Sequence, residues 1–353
     1  MGRDCAWAPG LSATRQWLRH ASTPSQDAAP ADPKACATFI KLTPMTTINW
    51  FPGHMHKARK DIASVMPHMD IIVEVIDARI PFSSENPLVP ALRGEKPLIK
   101  LLNKADLADP EVTDLWVAHI EQESGVRALP VTGSDPGHIR QLLRVCRSMV
   151  SEQKREVRAM IMGIPNVGKS TIINTLAGRV IAKTGNEAGV TKAQQNIKLG
   201  NGILLTDTPG FLWPKLNPPS CGYRLAITGA LKDTAFDYSD IALYAAEYLL
   251  RSYPEALRAR YKIEALPATD LALLEAIGRR RGCTVKGGGV DLPRAAALLI
   301  NELRAGLLGR ISHETPSMTL KEEQQAKLDE AQRAREKAEH DRARKLRTKK
   351  NRR

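Results

Sequence analysis

Aromatic side chains are scarce in this sequence, making up 5% of its 353 residues. The hydrophobic fraction is nevertheless 42%, so a buried core has to be built mostly from aliphatic side chains. No run of about 18 apolar residues occurs, and the sequence therefore predicts no membrane span. We expect a cytoplasmic protein that makes no membrane contact.

Cysteine is rare as well, and its five copies show no paired spacing. Such scattering indicates neither a disulfide framework nor a zinc site, and it fits a reducing compartment.

Acidic residues are too few to balance the basic ones: 38 Asp and Glu stand against 52 Lys and Arg, which leaves a formal net charge of +14. The excess favours a polyanionic partner such as nucleic acid. It is concentrated at the end of the chain, where residues 342–353 contain eight Lys or Arg and no acid. A block of this kind is typical of an interaction tail. The alternative is that it only aids solubility.

The first 45 residues are rich in Ala, Pro, Ser and Asp and show no sustained periodicity, which predicts a disordered leader. Its arginines suggest an organelle transit peptide, but its aspartates argue against one. The interpretation we prefer is that Met45 is the native start.

Beyond the leader, short apolar runs alternate with stretches of helical period. The predicted strands cover residues 70–77, 97–102, 129–131, 158–162 and 202–206; the predicted helices between them cover 111–123 and 137–150. Such alternation predicts an α/β fold with a doubly wound parallel sheet. Three helical patterns follow, at 241–250, 270–280 and 292–306. We therefore expect a nucleotide domain over 46–222, a small all-helical domain over 223–314 and a basic tail over 315–353.

A complete phosphate-binding loop follows the fourth predicted strand, with the sequence Gly163-Ile-Pro-Asn-Val-Gly-Lys-Ser170. Its glycines allow backbone N–H groups to close around phosphate oxygens at a helix N-terminus. Lys169 should reach the β- and γ-phosphates, and the Ser170 hydroxyl should ligate Mg²⁺. The residues predicted to contact phosphate are Asn166, Val167, Gly168, Lys169, Ser170 and Thr171, with Gly210 from a later motif.

That later motif is Asp207-Thr-Pro-Gly210, directly after the fifth predicted strand. An aspartate at the end of this strand is well placed to bind Mg²⁺ through a water molecule, while the Gly210 N–H can face the γ-phosphate. Between the two motifs lies Gly189-Val-Thr191. The Thr191 hydroxyl is predicted to bind Mg²⁺ only while the γ-phosphate is present, which makes a switch.

The base-reading motif is Asn103-Lys104-Ala-Asp106, at the end of the second predicted strand. A carboxylate such as Asp106 accepts two hydrogen bonds from guanine, one from the N1–H and one from the exocyclic amine beside it. Adenine presents an acceptor at N1 and no amine at that position. The alternative is a loop with an aspartate that caps a helix. A further turn at 131–134 has the right place for a base contact but a poor match.

The order of these motifs is informative, because the base-reading motif precedes the phosphate loop. In an unpermuted GTPase it comes last. We therefore predict a circularly permuted GTP-binding domain whose switch-bearing segment runs into the helical domain.

The chain resembles the circularly permuted ribosome biogenesis GTPases called YlqF or RbgA, which are related to mitochondrial ribosome-associated GTPases. The resemblance covers about residues 48–312. The motifs that carry it, besides those above, are Trp50-Phe-Pro-Gly-His-Met55, Asp77-Ala-Arg-Ile-Pro81, Phe211-Leu-Trp-Pro214, Thr228-Gly-Ala-Leu-Lys-Asp233 and Gly309-Arg-Ile-Ser312. Ala188 departs from the family, which has proline before its Gly-x-Thr.

The resemblance implies GTP hydrolysis that is stimulated by the large ribosomal subunit precursor during late maturation, with a helical domain that contacts ribosomal RNA. It implies that His54 orients the attacking water, because Phe211 and Leu212 stand where Ras-like proteins carry glutamine. A neutral imidazole can do this near pH 7. The alternative for His54 is an RNA contact or a helix cap. Asn166 resembles the asparagine with which related GTPases use K⁺.

The leading interpretation is thus an enzyme, a slow GTPase that serves as an assembly checkpoint. A second is a GTP-dependent RNA-binding module in which hydrolysis is incidental, and a third is a P-loop kinase or ATPase. The base-reading motif argues against the third. The sequence does not indicate an oligomeric state.

Overall fold

We describe a computed structural model of the chain over residues 62–150, 156–182, 195–199, 202–210, 212–213 and 216–350; of residues 341 and 343–350, only the backbone is described. The predicted leader lies outside these ranges. No helix among the described residues is long and apolar enough to cross a membrane.

The strands form one six-stranded sheet in the order β3-β2-β1-β4-β6-β5. Their bounds are β1 Ile71–Asp77, β2 Leu98–Asn103, β3 Val126–Val131, β4 Val157–Gly163, β5 Gln195–Leu199 and β6 Ile203–Asp207. The first four strands and β6 are parallel, whereas β5 pairs antiparallel with β6 at the edge. The predicted doubly wound sheet is confirmed.

The helices of the sheet region and the helical region follow in chain order. They are α1 Pro81–Ser84, α2 Val89–Arg93, α3 Pro110–Ile120, α4 Pro136–Ser148, α5 Lys169–Ala177, α6 Ser220–Ile227, α7 Tyr238–Ser252, α8 Pro254–Tyr261, α9 Asp270–Arg280, α10 Leu292–Arg304 and α11 Pro316–Lys350, with 3-10 turns at Met66–His68 and Asp233–Ala235.

Local sequence explains how several of these helices begin. Asp109 and Asp135 each accept a hydrogen bond from a backbone N–H of the first turn, and each precedes a proline at the first helical position. Both choices are favourable, because the cap satisfies a free N–H and proline has none to lose.

The sequence patterns did not predict several elements, and for three of them burial explains why. Strand β5 alternates exposed polar residues with Ile197 and Leu199, so it carries only a weak apolar signal. All eight residues of α6 are buried, which removes the amphipathic period by which a helix is recognised. Helix α8 has only two buried residues, Leu257 and Tyr261.

The core is aliphatic, as the scarcity of aromatics predicts. Strands β1 and β2 are buried along their whole length, as expected for central strands covered on both faces. In the helical region α7, α9 and α10 pack together through side chains such as Leu249, Ile277 and Leu299. The carboxyl ends of β1, β2, β4 and β6 meet at one edge of the sheet, where the predicted nucleotide motifs lie.

Candidate nucleotide-binding site

The phosphate loop joins the end of β4 to the start of α5, the context that the motif requires. Gly168 caps the helix with a left-handed φ of 93°. A Cβ at Gly168 would lie 2.2 Å from Asn103 Nδ2, and one at Gly163 would lie 2.5 Å from the carbonyl oxygen of Val75. Only glycine fits at both positions, because either contact is far below van der Waals distance.

Asn103 joins the base-reading motif to the phosphate loop. Its side-chain amide donates to the Val167 carbonyl at 2.7 Å, and its Oδ1 accepts from the N–H of Gly133 at 2.8 Å. The side chain is buried at the end of β2. One asparagine therefore holds three loops together, from the second strand, the fourth strand and the turn after β3.

The turn at 131–134, whose sequence matches poorly, lies beside the predicted guanine contact. The Thr132 hydroxyl donates to Asp106 Oδ1 at 3.2 Å. The Asp106 side chain is exposed, as a carboxylate that reads a base must be. The sequence indicates the place of this turn, but the bonds to Thr132 and Gly133 appear only in three dimensions.

Lys104 adopts a left-handed φ of 62° and reaches back under the phosphate loop. Its Nζ donates to Asp77 Oδ2 and to the carbonyl of Asn166, both at 2.9 Å. Burial lowers the pKa of Lys104, and the charge of Asp77 opposes that shift. Arg79 also binds Asp77 through two side-chain hydrogen bonds, at 2.9 and 2.8 Å.

Asp77 is thus a buried carboxylate held between two cations. Burial alone would raise its pKa, but the charges of Arg79 and Lys104 outweigh burial and hold the pKa well below its usual range. The carboxylate remains ionised throughout the physiological range and holds the Lys104 ammonium.

The lysine of the phosphate loop pairs with the aspartate of the later motif. Lys169 Nζ lies 2.5 Å from Asp207 Oδ1, and both side chains are buried. Burial raises the pKa of Asp207, and the Lys169 ammonium opposes the shift. The second oxygen, Oδ2, is buried without a hydrogen-bond partner among the described residues. Gly210 packs closely against the phosphate loop, since a Cβ there would lie 3.2 Å from the Pro165 nitrogen.

The remaining predicted phosphate contacts surround the helix start. Val167 is buried, while Ser170 and Thr171 are half-buried in the first turn of α5. Asn166 has a φ of 59°, and its side-chain amide donates to the Gly229 carbonyl at 2.9 Å. This last bond joins the phosphate loop to the turn after α6, at the start of the helical region.

His54 and Thr191 lie outside the described residues, as does Phe211. Leu212 is fully buried in the core, so its side chain offers nothing polar at the site. No group of three or more residues that could hold a metal occurs among the described His, Cys, Asp and Glu.

Fold and motif order together define a class: a P-loop GTPase whose sheet is circularly permuted, followed by a helical region. Residues 158–247 match the family model described as a 50S ribosome-binding GTPase. Ribosome biogenesis GTPase A of Priestia megaterium is 45% identical to this chain. The alignment covers 77% of this chain and 98% of the relative's length. Mitochondrial ribosome-associated GTPase 1 of Mus musculus is 31% identical, over 74% of this chain and 88% of that protein's length.

A solved structure described as GNP-bound YlqF from T. maritima superposes with a TM-score of 0.53 at 31% identity, over 74% of this chain and 98% of that one. The chain belongs to the ribosome biogenesis GTPase A family. It binds GTP and is a GTP hydrolase, and the predicted resemblance is confirmed.

Proposed function

We propose that this GTPase binds the large ribosomal subunit precursor and hydrolyses GTP in the cytoplasm as a late assembly checkpoint. The observation that carries the proposal is the bond from Asn103 to the phosphate loop, in a chain whose matched family model is described as a 50S ribosome-binding GTPase. This bond supports a single site for base reading and phosphate binding, and the description of the family model supports a ribosomal particle as the partner.

Guanine is read by Asn103, Lys104 and Asp106 in this proposal. The aliphatic stem of Lys104 supports the base, since its ammonium is held by Asp77. The Asp106 carboxylate accepts from the N1–H and the exocyclic amine. The phosphates lie at the N-terminus of α5, where backbone N–H groups and the helix dipole favour anions.

The donor set also fits Mg²⁺. Ser170 and Thr191 would supply hydroxyl ligands, and Asp207 would hold a water of the ion through Oδ2, which has no hydrogen-bond partner among the described residues. When bound, the ion neutralises charge on the β- and γ-phosphates. When nucleotide binds, the Lys169 ammonium leaves Asp207 and contacts phosphate oxygens instead. Asn166 is the proposed side chain for a K⁺ ion.

Ribosomal RNA is the proposed partner of the helical domain over 223–314 and of the tail over 315–353. Arg279, Arg280, Lys286 and Arg294 are exposed on the helical region, in reach of phosphates. The net charge of +14 supports the same partner. The bond from Asn166 to Gly229 supports coupling between nucleotide and this region.

The proposed water-orienting group is His54, because the buried Leu212 leaves the switch after β6 without a polar candidate at that position. The test is single-turnover hydrolysis of GTP with saturating large-subunit precursor. His54→Ala should lower the stimulated rate by about 10² to 10⁴. It should leave GTP affinity within about twofold, because water positioning acts in the transition state.

His68→Ala is the matched control, since His68 is an exposed histidine of the same domain. Small-subunit particles are the control for stimulation. A wild-type rate in His54→Ala would move catalysis to Thr191, a bound K⁺ or the RNA. Equal stimulation by both particles would contradict a large-subunit checkpoint and favour a general RNA-binding GTPase.

A further inference from the structure

After α10 the chain returns to the sheet and crosses the base-reading loop. We call residues 306–314 the strap and residues 104–109 the base loop. Gly306 begins this crossing with a left-handed φ of 70°, and a Cβ there would lie 2.7 Å from Leu107 Cδ2. The two segments are about 200 residues apart in sequence, as their paired hydrogen-bonding atoms record.

Arg310 makes the central contact between the strap and the base loop. Its Nε donates to the Ala108 carbonyl at 2.9 Å, and its Nη2 donates to the Ala105 carbonyl at 3.0 Å. The next residue, Ile311, donates its N–H to the Leu107 carbonyl at 2.9 Å. Three carbonyls of the base loop are thus held from one side, and the first of them immediately precedes Asp106.

The far end of the base loop is held in the same way. The Asp109 N–H donates to the Ser312 hydroxyl at 3.1 Å, and Tyr253 of the helical region donates to Asp109 Oδ2 at 3.0 Å. His313 donates its N–H to the Arg79 carbonyl at 2.8 Å. The strap therefore also touches the residue that fixes Asp77, the partner of Lys104.

The base loop needs such support because its backbone is strained and its base-reading side chain is exposed. Lys104 has a left-handed φ, which costs a non-glycine residue free energy unless its neighbours compensate. The exposed Asp106 accepts from Thr132 at 3.2 Å, a distance at the long end for a hydroxyl donor. A carboxylate that must accept two parallel bonds from one base requires a fixed backbone.

We propose that Arg310 is a positioning residue for guanine recognition, holding the base loop so that Asp106 meets the base in register. It acts through the carbonyls of Ala105 and Ala108 and does not touch nucleotide. The strap belongs to the helical region, so a partner that displaces the strap also weakens guanine binding. Linkage requires the reverse effect to be equal: nucleotide that orders the base loop strengthens the hold on the strap.

This inference rests on the proposed role of Asp106, and the experiment separates the two. Affinities of the full chain are measured for GTP and for inosine triphosphate, which lacks the exocyclic amine and so loses one of the two bonds to Asp106. Arg310→Ala should weaken GTP about tenfold and inosine triphosphate by only about threefold, since GTP has two base contacts to lose. The ratio of the two affinities should therefore fall towards one.

Arg144→Ala is the matched control, because Arg144 is an exposed arginine of α4, outside the strap and the base loop. It should leave both affinities unchanged. Arg310→Lys keeps a cation but cannot form the forked pair of bonds, so it should lower the ratio by a smaller factor. It also serves as the test variant if thermal unfolding shows that Arg310→Ala does not fold.

An equal loss for both nucleotides, or an unchanged ratio, would overturn the positioning role. Asp106→Asn is measured alongside, and should shift preference from GTP to xanthosine triphosphate, because the amide replaces an acceptor with a donor. If Asp106→Asn leaves GTP affinity unchanged, the proposed guanine assignment fails. If it switches preference while Arg310→Ala keeps the wild-type ratio, only the strap proposal fails.

Discussion

Gly168 lies where the phosphate loop passes beneath the side chain of Asn103. An added Cβ would fall 2.2 Å from Asn103 Nδ2, and the φ of 93° is itself unfavourable for any other residue. The position therefore couples two motifs that are far apart in sequence. Backbone conformation and side-chain contact both require glycine there.

We expect Gly168→Ala to weaken GTP at least tenfold, because the loop must move away from Asn103 and its N–H groups lose their alignment. Gly178→Ala is the matched control. Gly178 ends α5 with a φ of 64°, but nothing lies within 4 Å of its added Cβ. That variant should lose about 1 kcal/mol of stability, because alanine is strained at this φ, with unchanged GTP affinity. Equal GTP affinities in the two variants, measured by fluorescent-nucleotide titration, would contradict the clash.

Glu74 is a second residue whose environment decides its chemistry. It lies in the middle of β1, fully buried, and accepts from the Asn86 N–H at 2.7 Å. Burial and the nearby Glu85 raise its pKa to about 8, although Lys100 opposes the shift. The folded protein therefore binds a proton at Glu74 that the unfolded chain releases above about pH 4.5.

Because the pKa of Glu74 is raised in the folded state, protonated Glu74 makes its full contribution to the stability of the fold below about pH 4.5. This contribution is lost as pH rises towards 8. Glu74→Gln mimics the protonated form. Its free energy of unfolding should therefore rise relative to that of the wild type by about 1.4 kcal/mol for each pH unit in the steepest part of that window. Urea unfolding of both proteins from about pH 5 to 8 measures the difference. A constant difference across the window would show that Glu74 is ionised in the fold.

At the scale of elements, a buried ion cluster joins α6, α11 and the end of the strap. Arg224 of α6 is fully buried, with Nη1 3.3 Å from Glu314 Oε2 and Nη2 2.6 Å from Glu322 Oε1. Glu314 also accepts the N–H and the hydroxyl of Ser83 in α1. The cluster fixes the base of the long helix α11 to the body of the protein.

Removing the arginine should be costly, because two carboxylates then lack their cation and one of them, Glu314, is fully buried. We expect Arg224→Met to lower the free energy of unfolding by about 3 to 5 kcal/mol. Arg279→Met removes an exposed pair with Glu275 in α9 and should cost less than about 0.5 kcal/mol. Denaturant unfolding distinguishes them, and similar midpoints for the two variants would contradict a stabilising role of the buried cluster.

On the scale of the whole molecule, positive charge is distributed unevenly. Helix α11 runs for 35 residues, about 50 Å at 1.5 Å per residue, and is exposed over most of its described side chains. Its anchored end carries Glu322, while its last residues, 342–350, belong to the block of eight cations at 342–353. The most basic segment of the sequence therefore begins within the last turns of this helix.

We expect deletion of residues 342–353 to weaken RNA binding without changing sequence preference. The slope of log affinity against log salt should also fall, by about 0.7 to 0.9 for each phosphate that the tail neutralises in the full-length chain. A chain whose tail is replaced by a neutral segment of equal length serves as the control for length. Filter binding across salt concentrations measures the slope, and identical slopes for the deleted and full-length chains would show that the tail never contacts phosphate.

The sequence alone was sufficient for the α/β class, the motifs of the nucleotide site and their permuted order. Each of these depends on local requirements, such as a strand that ends in a glycine-rich turn and a carboxylate that follows a buried strand. The sequence could not predict β5 or α6, because an edge strand and a helix buried on every side lack the periodicity that reveals secondary structure.

Only the tertiary structure decided which distant residues meet. Asn103 and Val167 are 64 residues apart, Arg224 and Glu314 are 90 apart, and Arg310 and Ala105 are 205 apart. No local pattern marks such pairs, since their proximity depends on strand order and on the return of the chain after α10. The sequence determined which chemical groups this protein carries, and packing determined which of them hold one another in place.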